Sequence, residues 1–237
     1  MILGIHQPQY LPWLGIIDRI DKCDTFILLD NVPYSKNYYY NSNRIKAQKG
    51  WIWLTVPVLF GGNFGQLIKD IKIDNNQNWR QKHLKSIYLE YKKAPFFDDY
   101  YRPIEDLLGR DWESLSDLSS ESIRLSAGLF GIDKKIKKAS ELNVTGNKED
   151  LLIDICLKLK ADVYMSGPDG KNYLNLENWA DKGIKVIFQD FKHPKYRQSS
   201  DNFVPQMAAF DLLFSCGKES LSILRDQSGE KSELVLE

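Results

Sequence analysis

Apolar and polar positions fall into blocks along the chain, and each block has the period of one kind of element. Ile2 to Ile5 is a short apolar run ending at His6, and Pro8 and Pro12 forbid regular helix in the segment that follows. Trp13, Ile16, Ile17 and Ile20 recur at helical spacing with Asp18, Arg19, Asp21 and Lys22 outside the stripe, which predicts an amphipathic helix. Thr25 to Asp30 is β-rich and of the length of a buried strand, and Trp51 to Val58 predicts a third strand. The period then becomes helical. Trp79, Leu84, Ile87, Tyr88 and Tyr91 share one face, Pro95 breaks it, and similar patterns cover Tyr100 to Leu108 and Ile123 to Phe130. From Asn147, an expected N-cap, Leu151, Leu152, Ile155, Cys156 and Leu159 make another helix face. Ala161 to Gly170 reads as a strand entering a tight loop, Tyr173 to Ala180 as a helix, and Gly183 to Phe191 as a strand. Strands alternating with helices imply parallel pairing. The expected fold is α/β, a mostly parallel Rossmann-like sheet with an additional helical layer. It is read as a single domain over 1–226 with a helical insertion at about 77–135 and a frayed tail at 227–237.

Composition narrows the function. Of 237 residues, 32 are Lys or Arg and 32 are Asp or Glu, so the formal charge is zero, which excludes a wholesale basic coat for DNA. Cys23, Cys156 and Cys216 are far apart and form no CxxC pair, so they read as small buried hydrophobes rather than a zinc site or disulfide framework. The N-terminus lacks a basic region and no window approaches the length of a spanning helix, so a soluble, cytoplasmic chain without membrane insertion is expected.

In parallel sheets the ligand site lies beyond the carboxyl ends of the strands. That rule selects His6, Asp30, Ser166 and Gln189. The segment HQPQYLPWLG, His6 to Gly15, is the most specific feature. Its prolines fix a path, His6 and Gln7 offer hydrogen bonds, and the helix beginning near Trp13 points its positive end to the same space, which suits a phosphate or carboxylate. A connecting loop with His6 and Trp13 simply buried is the plainer reading. Between Asp30 and Lys46, the cations Lys36, Arg44 and Lys46 alternate with Tyr34, Tyr38, Tyr39 and Tyr40, with Asn43 beside Arg44. Such interleaving holds phosphate while stacking a base or sugar, although a solvated hairpin looks similar. SGPDGKNYL, Ser166 to Leu174, has Gly167 and Gly170 for close backbone approach, followed by Lys171 and Tyr173, but lacks Walker A spacing. His193 is placed to return a second histidine to the same rim, whereas His83 sits on an apolar helix face and reads as structural. No HExxH, paired Cys or EF-hand spacing occurs, so no metal ligands are assigned.

HQPQYLPWLG, LDNVPYSK with NRIK, WLTVPV, SGPDGKNYL, FQDFKHPKY and FVPQMAAFDLLFSCG resemble, in order, the signature blocks of the WbqC-like family. The resemblance implies a bacterial protein of surface-polysaccharide or O-antigen gene clusters that places an amino acid such as glycine on an amino sugar. The order of elements is also similar to that of pantothenate synthetase and nucleotidylyltransferase enzymes, an analogy of fold.

The resulting expectation is an amide-forming transferase or ligase. An activated amino acid is attacked by the amine of a nucleotide-linked amino sugar. His6, Lys36, Arg44 and Lys46 would spread phosphate charge, Asp30 or His6 would take the amine's proton, and Tyr10, Trp13 and Tyr34 would stack the sugar or base. His6, Asp30 and Lys36 are thus the catalytic candidates. Gln7, Tyr10, Trp13, Tyr34, Asn43, Arg44, Lys46, Ser166, Gly167, Gly170, Lys171, Tyr173 and His193 are the binding candidates. ATP with loosely bound magnesium is an expected co-substrate, aminoacyl-tRNA an alternative donor, and no tightly bound cofactor is expected. Nucleotidylyl transfer to a sugar phosphate and a non-catalytic RNA-binding module remain alternatives, and the oligomeric state is open.

Overall fold

A computed structural model describes residues 1–36, 38–61, 65–198 and 202–227. The chain opens with β1 (Ile2–His6), α1 (Leu14–Lys22) and β2 (Thr25–Leu28). The short strands β3 (Ser42–Ala47), β4 (Gly50–Thr55), β5 (Val58–Leu59) and β6 (Lys72–Ile73) come next. Three helices follow, α2 (Trp79–Tyr91), α3 (Phe97–Gly109) and α4 (Leu115–Leu129). The last part holds β7 (Lys135–Lys138), α5 (Lys148–Lys158), β8 (Val163–Ser166), α6 (Leu176–Ala180), β9 (Lys185–Phe188), α7 (Phe210–Cys216) and α8 (Ser220–Gln227). Of the tail expected to fray, all but Gln227 lies outside the described residues.

The central sheet has the order β7-β2-β1-β8-β9, and every neighbouring pair is parallel. With helices on its faces, this is the Rossmann-like α/β fold expected from the alternation of elements. The short apolar runs explain it, because parallel strands covered on both faces need apolar residues throughout. Leu3 and Ile5 pack on one face with Leu152, Ile155, Cys156 and Trp179 from α5 and α6. Phe26 and Leu28 pack on the other face with Ile16, Ile17 and Ile20 of α1. The period of two along β1 turns His6 away from the face of Leu3 and Ile5 and toward α1. Chain order runs from β1 outward to β2 on one side and returns to β8 on the other, so the switch point opens between the carboxyl ends of β1 and β8.

Trp51 to Thr55 forms a strand as expected, within β4, but β4 pairs antiparallel with β3 in a ribbon separate from the main sheet, and β3 is too polar to carry an apolar strand signal. The edge strand β7, Lys-Ile-Lys-Lys, was missed because lysines protect an edge from further pairing and erase the apolar signal. The helical stretch forms as expected, with α4 packed on α1 and α3 on α7. Asn147 sits at the N-cap of α5 in extended conformation, although its side chain makes no capping bond.

His83 is structural, as its position on α2 implies. It is buried beside Trp79 and hydrogen-bonded to the Tyr10 hydroxyl at 2.9 Å. Burial lowers its pKa from 6.5 to about 4. The unfolded chain therefore binds a proton that the folded chain refuses between those values, and stability present above 6.5 drains away as pH falls toward 4. His83 alone should cost about 2 kcal/mol near pH 5 relative to neutral pH. Urea unfolding at the two pH values checks this, and equal stability at both contradicts it.

Candidate active site at the switch point

A cavity of about 920 Å³ opens at this switch point. Ile5, His6 and Gln7 line it from the end of β1, and Gly167, Pro168, Asp169 and Gly170 line it from the loop after β8. Gln9, Trp13, Ile16 and Arg19 add the wall contributed by α1 and the loop before it. Tyr38, Tyr39, Tyr164, Tyr173 and Gln206 add polar and aromatic surface, and Lys148 and Glu149 reach it from the start of α5.

The segment from His6 to Trp13 holds its shape because side chains satisfy its backbone. Ser122 of α4 accepts from the Leu11 amide at 2.9 Å and donates to the Gln9 carbonyl at 3.4 Å, and Asn43 of β3 donates to the Leu11 carbonyl. Leu11 itself is held at φ 45°, a left-handed conformation that costs a non-glycine residue energy and is retained where the surroundings impose it. Trp13 caps α1 in extended conformation with no side-chain bond, so the first amides of α1 lack a capping side chain.

His6 and Arg19 carry the electrostatics. His6 Nδ1 lies 2.8 Å from the Gln7 carbonyl, which only accepts, so the proton of the neutral ring sits on Nδ1 and Nε2 is an acceptor. Burial, and then the positive charge of Arg19, push the His6 pKa down to about 4. The ring is therefore neutral at physiological pH. Arg19 is only 5% exposed, and its Nε donates to Gln189 Oε1 at 2.9 Å. Gln189 is itself locked by donating to the Gly15 carbonyl at 2.8 Å and to Asp18 Oδ2 at 2.6 Å. Asp18 pairs with Lys22 at 3.0 Å. Gly167 leaves room for the guanidinium, since a Cβ there would stand 2.8 Å from Arg19 Nη2. Gly170 accommodates Ser166 in the same way, its Cβ position lying 2.0 Å from Ser166 Oγ.

A model of the WbqC-like protein family matches residues 7–223, nearly the whole chain. The chain belongs to the WbqC-like family. A mycobacterial relative, the uncharacterized protein Rv1507c of Mycobacterium tuberculosis (strain ATCC 25618 / H37Rv), is 30% identical over 227 residues, covering 94% of this chain and 97% of its own. No solved structure matches.

In this WbqC-like chain the cavity brings together only part of what the sequence suggested. His6, Gln7, Trp13, Gly167, Gly170 and Tyr173 line it. The rest are corrected. Tyr10 is fully buried against Trp79 and His83, so its ring has no face left for a sugar. Asp30 is 1% exposed and its carboxylate is occupied by the Ser116 hydroxyl at 3.1 Å and by the Ser140 amide and hydroxyl at 2.9 and 2.7 Å. Asn43 is buried in its bonds to the preceding loop and to the Arg44 amide. Lys46 is fully buried, and its Nζ donates to the carbonyls of Ala47 and Gly50 at 3.1 and 3.5 Å.

Tyr34 packs on Tyr40 and Phe60, and Lys36 lies 5.3 Å over the Phe60 ring, neither lining the cavity. Arg44 lies over Trp51 and Trp53 and donates to Gln206 Oε1 at 3.0 Å, so it touches the cavity only through that glutamine. Ser166 is buried under Gly170, and Lys171 sits over Phe188 at 5.5 Å. His193 is held in an aromatic cluster with Phe191, Tyr196 and Phe203, one ring removed from Trp13. Arg19 is the functional candidate that sequence reasoning missed, because the apolar stripe of α1 puts it on the polar side. That side is also covered, since α1 contacts β1, α4 and α8.

Proposed function

We propose that this WbqC-like protein is a transferase that joins an activated amino acid, such as glycine, to the amine of a nucleotide-linked amino sugar. The observation that carries the reading is His6: a neutral imidazole with an acceptor Nε2 in a nucleotide-sized cavity at the switch point of a parallel sheet. The amine nitrogen forms a bond to the activated carbonyl carbon, the bond from that carbon to its leaving oxygen breaks, and the amine's proton passes to His6 Nε2. The leaving group is a phosphate oxygen if ATP has adenylated the amino acid, or a ribose oxygen if aminoacyl-tRNA is the donor. Tyr39, Tyr173 and Trp13 offer aromatic faces for a base or sugar along the cavity wall. Surface-polysaccharide synthesis is the setting this reaction fits.

Incubation with a panel of nucleotide-linked amino sugars, an amino acid and either ATP or charged tRNA tests the reading by mass spectrometry. A gain of one aminoacyl group is expected. Its absence across the panel, or release of pyrophosphate with the nucleotide transferred to a sugar phosphate, contradicts it.

A further inference from the structure

Among the described residues Arg19 forms no ion pair, although the charge of Asp18 acts on it. Among the described residues no carboxylate lies within ion-pairing distance of it, and Asp18, its nearest acidic neighbour in sequence, is bonded to Gln189 and Lys22. Taking a guanidinium out of water without an anion costs several kcal/mol even after relaxation. Yet the fold invests in keeping it there: Gln189, a positioning residue, fixes Nε, and Gly167 clears the space beside Nη2. No hydrogen bond from either Nη group is formed among the described residues, while the side chain lines the cavity. The Gln9 side chain lines the same wall, is 4% exposed, and has an Oε1 that accepts no hydrogen bond among the described residues.

From this we infer that Arg19 is the anchor for the phosphate oxygens of the substrate, so that the cavity wall at Arg19 is a phosphate subsite and the cations Lys36 and Arg44 are not. The inference deepens the reading of the site as one for nucleotide-linked sugars by naming the group that docks first and the residue that receives it. Arginine suits the task, because its planar fork donates two parallel bonds to a phosphate. An anion placed there neutralises the charge beside His6, so His6 Nε2 becomes more basic as the substrate seats.

Isothermal titration of the full chain with inorganic pyrophosphate, with a nucleoside diphosphate and with the matching nucleoside tests the inference. Pyrophosphate and the diphosphate should bind and the nucleoside bind weakly, and Arg19→Gln should weaken diphosphate binding by about 100-fold. Arg44→Gln should leave it unchanged. Gly167→Ala retains the charge but pushes a methyl group against Nη2, and it should also weaken binding, which covers the case in which Arg19→Gln fails to fold. Wild-type affinity in both Arg19→Gln and Gly167→Ala, or no binding of either anion to the wild-type chain, overturns the inference. Loss of diphosphate binding in these variants upholds it even if no acyl amide is ever formed, so the two readings fail separately.

Discussion

Replacing Asp211 by alanine is expected to lower the unfolding free energy by about 3–5 kcal/mol, the cost of breaking a buried charged network from one side. The carboxylate is fully buried and accepts from Tyr91 Oη at 2.8 Å, Tyr196 Oη at 2.6 Å and Gln198 Nε2 at 2.8 Å. Burial holds its pKa above the ordinary carboxylate value, and the three donors pull the other way. Alanine would leave three buried donors unmet at once, and each costs about 1–3 kcal/mol when abandoned. The network also ties β3 to the segment beyond β9, because Tyr91 accepts from the Lys46 amide at 2.9 Å and Gln198 bonds both ways with Val204. Urea unfolding near neutral pH measures the loss, and a change below about 1 kcal/mol contradicts this account of the network.

His6→Ala is expected to reduce turnover by about 100- to 10,000-fold, the range for removing a general base, with stability nearly unchanged. The ring lies at the end of β1 and among the described residues its one hydrogen bond is to the neighbouring Gln7 carbonyl, so little of the packing depends on it. His6→Gln keeps a polar group but not the basic nitrogen and should be equally impaired. The wild-type ring should stay neutral in the free protein down to about pH 4. Its apparent pKa should rise when a phosphate ligand is bound, because that ligand offsets Arg19. NMR titration of the ring with and without pyrophosphate reads this shift. Undiminished turnover in His6→Ala would remove His6 from the reaction.

The centre of the parallel sheet was legible because β1 and β2 are contiguous apolar runs, unlike the lysine-rich edge strand β7, and the same reading carried His6 to a strand end, where the cavity lies. Residues whose partners are distant in sequence were not legible. Tyr10 looks like a loop aromatic available to a ligand, but its hydroxyl is claimed by His83, 73 positions away. Asp30 stands at a strand end as expected of a catalytic base, yet its oxygens are used by Ser116 and Ser140 to hold the end of β2 to α4 and to the turn after β7. Lys46 appears in the sequence as one cation of a binding cluster, and the ribbon of β3 and β4 buries it to cap its own turn. Arg19 is the converse case. Helical periodicity reports one buried face, and α1 has a second, made by residues near the carboxyl end of β9, that no local pattern reveals.

On this reading the substrate's phosphates lie in the crevice between β1 and β8. A crystal structure of the protein with a bound nucleoside diphosphate tests it most directly. Phosphate oxygens about 2.7–2.9 Å from the Arg19 guanidinium, with the remainder of the ligand running along the cavity past His6, are the predicted result. Phosphates seated on Lys36 and Arg44 with the crevice empty would contradict it.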